Sequence, residues 1–415
     1  MKIAMISALA SPLALHERAD IGGQHVHVAG LSAAIARRGH DLTVYTRRDG
    51  QGRPERVDAP DGYAVVEVPA GPADYVSGGD LLDHMSAFAE YLDVHWDEDP
   101  PEVAHAQFWM SGLVTQLAAR ARGVPTVQTF RSLGSVEERH DEVPAANVGA
   151  RLKLERLVAG GATWVAATCT DELLELIRLG RSRSRISVVP CGVDTDAFST
   201  EGSVADRGDR YRIVSVGKLL PHNGFDTMIQ ALPNIPDAEY VIVGDADGDN
   251  IHADPEATRL SKLAAELGVA DRLVFAGAVA HADMPALLRS ADVVACTPWY
   301  DAFGLVALEA MACGVPVVAS AVGSMRDTVV DDVTGRLVMP RRPRECADAV
   351  TGILRDSFLR RSLGLAGRDR VCARYTWDRV AAETCDIYER LITAHVAHVD
   401  HASPLTDLGQ PTIQS

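Results

Sequence analysis

Two carboxylates flank an apolar run in the stretch WYDAFGLVALEAMACG. Asp301 and Glu309 stand eight positions apart, with Phe303 and Gly304 between them. The pattern predicts a loop followed by a helix that begins near Gly304, so that Asp301 precedes the helix and Glu309 lies in its second turn. Carboxylates at such places can accept hydrogen bonds from the hydroxyls of a sugar or a ribose. Two alternatives stay open: a glycosidase acid/base pair, and a plain helix N-cap at Asp301.

Two further stretches have the chemistry of a phosphate site. In SVGKLLPHNGFDTMI, an apolar strand ends at Gly217, Lys218 follows it, and Gly224 precedes a helix. A cation at the end of a strand, beside a helix start, suits a diphosphate, although a surface lysine is the plain alternative. Near the N-terminus, Asp20 is followed by Gly22 and Gly23, which allow a close backbone approach. This is not the G-x-G-x-x-G pattern of a dinucleotide oxidoreductase.

The elements that must position these residues alternate between short apolar strands and amphipathic helices. KIAMIS, a helix that stops at Gly39, and DLTVYTR form the first strand-helix-strand unit, and the alternation restarts at YRIVSVGKL after the polar segment 199–210. The pattern predicts an α/β protein with two Rossmann-like, doubly wound domains that face a central cleft. We expect one domain over residues 1–200 and a second over 210–375. A helix over 376–397 is expected to cross back to the first domain, and 398–415 to be a disordered tail.

Composition narrows the class of partner. The net charge is −17 and the sequence pI about 5.2, which argues against nucleic acid or an anionic membrane as the main partner. No run of about eighteen apolar residues is present, and the first residues lack a secretory signal pattern. The seven cysteines do not form C-x-x-C pairs, so no metal site is predicted. We therefore expect a cytoplasmic protein without stable membrane association, and leave open whether it is a homodimer.

Taken together, these motifs resemble those of the family-4 retaining glycosyltransferases of the GT-B fold, which include mycothiol-type and sucrose-phosphate-synthase-like enzymes. The resemblance covers Met1 to about Ala394. It rests on the glycines after Asp20, HAQFWMSG from His105, VVPCGVDTDAF from Val188, Val216-Gly217, and the pair Asp301 and Glu309. It implies that a nucleotide-sugar donor, UDP- or GDP-linked, is held mainly by the C-terminal domain and an acceptor mainly by the N-terminal domain.

The resemblance also implies roles for individual residues. Lys218, Asp301 and Arg131 are expected to be catalytic, with Lys218 at the diphosphate and Glu309 at the ribose hydroxyls. The donor-binding residues carried over are Gly22, Gly23, Gly217, Lys218, Asn223, Val279, Asp301, Ala302, Phe303, Gly304, Leu305 and Glu309. In a front-face substitution the leaving diphosphate helps to deprotonate the acceptor, so no metal and no resident cofactor is implied.

Four positions depart from the common pattern of that family. Asn223 replaces a lysine, Lys218 an arginine, Arg131 a histidine and Asp301 a glutamate. Three of the four belong where the donor sugar or its diphosphate is expected, which favours an unusual donor sugar. A weakened or inactive enzyme is the competing interpretation.

On the acceptor side, the lysine that usually accompanies phosphorylated acceptors corresponds here to Gly78. Arg151 matches a basic acceptor position, although Glu155 lies four residues on and can pair with it. We therefore expect a neutral or zwitterionic small acceptor without a phosphate. The candidates to line its pocket are Asp20, His25, His27, His105, Gln107, Trp109, Arg131 and Arg151.

These expectations favour a retaining hexosyltransferase of actinobacterial natural-product biosynthesis, of the aminocyclitol or lincosamide antibiotic type. Only four of the 40 basic residues are lysines, which is typical of a GC-rich genome. A mycothiol-like or cell-envelope glycosyltransferase is the alternative within the fold. A nucleotide-sugar epimerase of the same fold and a non-catalytic sugar-nucleotide binding protein stay open as other classes.

Overall fold

The structure is a computed structural model that describes residues 1–13, 23–76, 80–140, 148–244 and 254–401. Asp20, Gly22 and Gly78 lie outside these residues, as does the predicted tail from residue 402 onward. The described chain forms two sheets, each covered by helices, in the strand-helix alternation that the sequence predicts.

The first sheet has the order β3-β4-β2-β1-β5-β6-β7-β8 and is parallel except for β3 at its edge. Its strands are β1 (Lys2–Ile6), β2 (Asp41–Arg47), β3 (Arg56–Asp58), β4 (Ala64–Val68), β5 (Val103–Gln107), β6 (Thr126–Thr129), β7 (Trp164–Ala167) and β8 (Ile186–Val188). Every residue of β4 and β5 is buried, because helices cover both faces of a parallel sheet.

The helices of this first unit are α1 (Gln24–Arg37), α2 (Met85–Glu98), α3 (Trp109–Arg120), α4 (Gly134–His140), α5 (Val148–Gly161) and α6 (Thr170–Arg178), with 3-10 turns at Leu81–His84 and Arg183–Arg185. α1 begins at Gln24, directly after the glycine pair, and ends before Gly39, whose φ of 83° glycine accommodates without strain. Residues 199–210 form no helix or strand.

The second sheet is parallel throughout, in the order β11-β10-β9-β12-β13-β14. Its strands are β9 (Tyr211–Val216), β10 (Ala238–Val243), β11 (Leu273–Gly277), β12 (Val293–Cys296), β13 (Val317–Ser320) and β14 (Gly335–Val338). The helices that follow its strands are α7 (Phe225–Ala231), α8 (Pro255–Glu266), α9 (Met284–Arg289), α10 (Leu305–Ala312), α11 (Met325–Thr328), α12 (Pro343–Arg355) and α13 (Ser357–Arg374), with 3-10 turns at Pro221–Asn223, Leu232–Asn234 and Ala270–Arg272.

The last helix, α14 (Trp377–His401), packs against α1 of the first unit and extends beyond the predicted bound of 397. Trp377 lies so close to Gly30 that a β-carbon there would come within 2.3 Å of the indole. One cluster of buried apolar side chains includes Ile3 of the first sheet, Val214 of the second, and Trp377. The two sheets are therefore joined by a common core as well as by the chain.

Candidate functional site

A cavity of about 480 Å³ lies between the two units, at the carboxyl ends of their strands. We call it the Lys218 cavity. Its lining is Gly23, Gln24, Phe108, Arg131, Ser132, Leu133, Val136 and Glu137 from the first unit, and Val216, Gly217, Lys218, Leu220, His222, Asn223, Tyr300, Asp301, Ala302, Phe303, Leu305 and Val306 from the second. Most of the predicted donor residues are thus brought to one place, by strands that end at the same edge of each sheet.

Asp301 both lines this cavity and organises the start of α10. Its Oδ1 accepts hydrogen bonds from the backbone N–H of Phe303 at 2.7 Å and of Gly304 at 2.8 Å. Gly304 has a φ of 65°, and a β-carbon on it would lie 2.9 Å from the Ser324 hydroxyl, so the turn into α10 requires glycine. Burial raises the pKa of Asp301, and the two amides oppose this rise. The capping role held open as an alternative is therefore present alongside the position in the cavity.

Lys218 lies two residues after the end of β9 and is half-buried at the cavity wall. Asn223 donates from Nδ2 to the Lys218 carbonyl at 2.7 Å, so its amide fixes the loop between β9 and α7. Gly224 ends that loop with a φ of 67°, and a β-carbon on it would collide with the Thr297 carbonyl. The positive charge on this wall of the cavity therefore comes from Lys218, at a place fixed by backbone contacts.

Arg131 enters the cavity from the opposite unit and is only 1% exposed. Its Nε and Nη2 donate to Gln107 Oε1 at 2.9 and 2.7 Å, and its Cζ lies 5.3 Å from the centroid of the Phe303 ring. Nη1 is buried and has no hydrogen-bond partner. Burial lowers the pKa of Arg131 to about 10, so the guanidinium is charged at neutral pH. Arg131 is thus a buried cation at the contact between the two units.

The backbone is strained at two positions of the first unit that line the cavity. Phe108, directly after β5, has a φ of 75°, and Arg131, two residues after β6, has a φ of 67°. A left-handed conformation costs a residue with a side chain about 1 kcal/mol or more and is concentrated at functional sites. Phe108 belongs to the motif HAQFWMSG but was not predicted as a site residue, and its place just after a buried strand is the signal that could have identified it.

Arg151 does not reach into the cavity as a free cation. Nε donates to Glu155 Oε1 at 2.7 Å, Nη1 to Glu137, and Nη2 to the Ser132 hydroxyl at 3.2 Å. Burial lowers the pKa of Arg151, but the two carboxylates outweigh that effect and the pKa is raised. The predicted i,i+4 pair with Glu155 is therefore observed, and Glu137 and Ser132 are cavity residues that the sequence analysis missed.

Four predicted acceptor residues lie in the interior instead of lining the cavity, which corrects that prediction. His27, His105, Gln107 and Trp109 are between 0% and 4% exposed. His105 bonds the Tyr388 hydroxyl at 2.6 Å through Nδ1 and Thr129 at 2.9 Å through Nε2, and burial lowers its pKa to about 3. Burial likewise lowers the pKa of His27, whose ring packs edge-on against Trp377. Both imidazoles are therefore neutral structural groups, and Gln107 acts through Arg131.

Glu309 opens onto a second cavity of about 460 Å³, which we call the Glu309 cavity. It is lined by residues of α1 and α10, by residues 192–196, and by Phe198, His281 and Trp377 among others. Glu309 is 4% exposed and its Oε1 lies 3.3 Å from His281 Nε2. The hydrogen bond to Glu309 raises the pKa of His281, and burial raises the pKa of Glu309.

Leu305 lines both cavities, so the two adjoin at this side chain. A β-carbon on Gly23 would lie 3.0 Å from Leu305 Cδ2, so the two units meet closely at this point. Two other predicted residues lie outside both cavities. His25 is half-buried in α1, and Val279 is half-buried and packs against the core. Neither lines either of the two cavities.

Two family models together match most of the chain. Residues 22–192 match the family described as glycosyl transferase 4-like domain, and residues 200–370 match glycosyl transferases group 1. A D-inositol 3-phosphate glycosyltransferase of Xylanimonas cellulosilytica is 36% identical over 408 residues, which are 93% of this chain and 96% of the relative. The chain belongs to this family of glycosyltransferases. A protein of the same name from Mycobacterium tuberculosis is 32% identical over 413 residues, 94% of this chain and 83% of the relative.

The fold of this glycosyltransferase is GT-B, as the sequence predicts. A sucrose-phosphate synthase from Thermosynechococcus elongatus superposes with a TM-score of 0.83 at 29% identity, over 94% of this chain and 99% of that one. Within the described ranges, the glycosyltransferase has no group of three or more His, Cys, Asp or Glu side chains arranged to hold a metal ion. None of its described helices is long and apolar enough to cross a membrane.

Proposed function

We propose that this glycosyltransferase moves a sugar from a UDP- or GDP-sugar to a small, non-phosphorylated acceptor in the cytoplasm, with retention of configuration at the anomeric carbon. The observation that carries the proposal is the pair of adjoining cavities. A buried carboxylate, Glu309, serves one of them, and a cation, Lys218, serves the other together with the start of α10. A nucleotide sugar has the matching groups in that order: ribose hydroxyls, a diphosphate and a sugar.

In the proposed reaction the bond between the anomeric carbon and the diphosphate oxygen breaks. A bond from the acceptor to that carbon forms on the same face, and the acceptor proton passes to the leaving diphosphate. Lys218 and the first N–H groups of α10 stabilise the negative charge on the leaving group, which is the largest protein contribution in such a step. Asp301 orients the donor sugar, and no metal or resident cofactor is part of the proposal.

The acceptor is proposed to lack a phosphate because Arg151, the basic residue that the resemblance places on the acceptor side, is already neutralised. Arg151 donates to Glu137 and Glu155, and the side chain of Glu155 is fully buried. A phosphate would have to displace Glu137 and would meet the charge of both carboxylates, at a cost that grows in a site shielded from water. Gly78 supplies no cation either.

A second candidate is an inositol phosphate acceptor, because two relatives above 30% identity are named D-inositol 3-phosphate glycosyltransferases. A single acceptor assay separates the two candidate functions. Purified enzyme is offered inositol 3-phosphate, myo-inositol and a panel of aminocyclitols and thiols. We expect transfer to an acceptor without a phosphate, and a rate for inositol 3-phosphate that exceeds every other rate would favour the second candidate.

We also propose that the donor sugar is unusual and that the pathway belongs to actinobacterial natural-product biosynthesis. Support comes from Asn223 and Arg131, which change the charge around the donor, and from the lysine-poor composition. An epimerase of this fold is tested by incubating the enzyme with donor alone and following the sugar by NMR. Isomerised sugar without acceptor would favour the epimerase.

The decisive first experiment is a thermal-shift series with UDP, GDP, ADP and TDP. A ligand at about 100 times its Kd stabilises a protein by about 2.7 kcal/mol, so one nucleotide should raise the Tm measurably above the others. Lys218→Met should reduce that shift, whereas Lys262→Met, on the exposed side of α8, should leave it unchanged. No shift with any nucleotide would contradict the proposal. The anomeric configuration of the product, read by NMR, tests retention.

A further inference from the structure

Arg131 is a buried positive charge without a carboxylate partner. Its guanidinium donates to a neutral amide oxygen of Gln107, and the nearby carboxylate of Glu172 accepts from the backbone N–H of Arg131 rather than from its side chain. No ion pair joins the Arg131 side chain to any residue that the structure describes within 4.0 Å. Buried charges are normally paired, because removing a charge from water costs several kcal/mol.

The surroundings of Arg131 relieve this imbalance only in part. The nearby Glu172 carboxylate opposes the effect of burial on the pKa of Arg131, but it accepts hydrogen bonds from Thr168 and from the backbone N–H of Arg131, and no hydrogen bond joins it to the guanidinium. The positive charge of Arg131 also helps burial to lower the pKa of the imidazoles of His27 and His105. Nη1 is left without a hydrogen-bond partner although its atom is buried. The strained φ of 67° shows that the fold holds the side chain in this place at a cost. An anionic group of a substrate in the Lys218 cavity would satisfy both the charge and the free N–H.

The position of Arg131 within the cavity indicates which anionic group of the substrate it would bind. The diphosphate has its own set of groups on the second unit, namely Lys218 and the amides at the start of α10. Arg131 comes from the first unit and lies against the Phe303 ring, beside the Asp301 turn that we assign to the donor sugar. We propose that Arg131 binds a carboxylate on the donor sugar, and therefore that the donor is a nucleotide-activated uronic acid. This inference rests on the proposed function, because it presupposes a nucleotide-sugar donor.

The chemistry favours a carboxylate over the hydroxymethyl group of an ordinary hexose. A carboxylate can accept a charge-assisted hydrogen bond from Nη1, which is roughly twice as strong as a neutral one. A hexose would leave the guanidinium uncompensated, and sites built for a charged or polar group discriminate strongly against substrates that lack it. We expect the uronic acid donor to bind at least about tenfold more tightly than the matching hexose donor, since 1.4 kcal/mol is tenfold in affinity.

The test is calorimetric titration of the full-length enzyme with UDP, UDP-glucose, UDP-glucuronate and UDP-galacturonate, or with GDP, GDP-mannose and GDP-mannuronate if thermal shift selects guanine. The wild type should prefer a uronate by tenfold or more. Arg131→Met should bring the affinities for the uronate and hexose donors within about twofold of each other. Arg131→Lys should restore part of the preference for the uronate. Arg122→Met, which removes a surface arginine paired with Asp93 and Asp97, is the matched control and should leave the preference intact.

A second variant guards against misfolding at the strained position. Gln107→Glu has nearly the same shape and gives Arg131 a built-in counter-ion, so it should abolish the uronate preference while UDP affinity stays unchanged. If the enzyme binds UDP or GDP but prefers the hexose, the inference is wrong and the proposed function stands. If Arg131→Met weakens the nucleotide and every sugar nucleotide equally, Arg131 contacts the diphosphate and the inference is wrong as well. Failure to bind any nucleotide would overturn both.

Discussion

The two cavities on either side of Leu305 handle charge in opposite ways. In the Lys218 cavity a buried guanidinium makes no direct ion pair and has an unpartnered Nη1, and the neighbouring imidazoles are kept neutral. In the Glu309 cavity the buried group is a carboxylate, and its neighbour His281 has a raised pKa. The guanidinium attracts an anion, whereas the carboxylate of Glu309 accepts hydrogen bonds from hydroxyl groups. We infer that the Glu309 end supplies binding common to all donors, and that the Lys218 end selects among them.

The largest expected effect is at the common end. Glu309→Ala should lower kcat/KM by at least about a hundredfold with every donor, because two hydroxyl hydrogen bonds to a charged group, at about 1.5–3 kcal/mol each, are lost. UDP alone should lose affinity to a similar degree. Steady-state kinetics with several donors and titration with UDP measure both. Glu266→Ala, exposed near the end of α8, is the control. A loss confined to some donors would place Glu309 at the sugar instead.

At the selective end, Asp301→Glu should change the ratio of kcat/KM between two donors by about tenfold while UDP affinity stays within about twofold. It should also lower the Tm by a few degrees, because Asp301 caps α10 and loss of a cap costs about 1 kcal/mol. Asp356→Glu is a matched control, since Asp356 accepts from two backbone amides at the start of α13. Asp356→Glu should lower the Tm and leave the ratio of kcat/KM between donors unchanged. Equal loss of activity with all donors would contradict the selective role of Asp301.

Leu305→Ala tests whether the two ends must be separate. Removing this side chain joins the two cavities and admits water, so the ratio of donor hydrolysis to transfer should rise about fivefold. Val306 lines the Lys218 cavity but not the Glu309 cavity, so Val306→Ala is the control and should leave the ratio unchanged. The ratio follows from measuring released sugar and glycosylated acceptor in one reaction. An unchanged ratio for Leu305→Ala would mean that closure of the units excludes water by other contacts.

The sequence predicted the GT-B architecture and the placement of Asp301, Lys218 and Glu309, because each of them lies in a short motif directly after a strand or at a helix start. Local order along the chain is enough to bring such residues to the carboxyl edges of two parallel sheets. The sequence also contained the pairing of Arg151 with Glu155, since residues four apart on a helix are neighbours. What it lacked was Glu137, which reaches the same arginine from another helix.

The buried residues near β5 could not be placed from the sequence. His105 and Gln107 look like ligands for a sugar because they are polar and close to a strand end, but β5 is buried on both faces. Their partners come from far along the chain: Tyr388 of α14 for His105, and Arg131 for Gln107. Periodicity gives the faces of an isolated strand, whereas a central parallel strand has no solvent face to distinguish. The distinction between a pocket residue and a core residue is therefore a tertiary property here.

The smallest expected effect uses pH to separate the two ends. The pKa of His105 in the folded protein is about 3, so between that value and about 6.5 the unfolded chain binds a proton that the native state refuses. The free energy of unfolding therefore falls with acidification, by up to about 1.4 kcal/mol per pH unit. His105→Asn removes this penalty, so its Tm relative to wild type should improve at about pH 5.5 compared with about pH 8.

His281→Asn should behave in the opposite sense. Because the pKa of His281 is raised in the folded state, its stabilisation is fully present below its unfolded pKa and is lost as the pH rises through the folded pKa. The Tm of the variant should therefore lie further below that of the wild type at about pH 5.5 than at about pH 8. His95→Asn, on the exposed side of α2, serves as the control. Thermal unfolding of the four proteins at both pH values measures the effect, and shifts of the same sign for His105→Asn and His281→Asn would contradict the opposite pKa shifts of the two imidazoles.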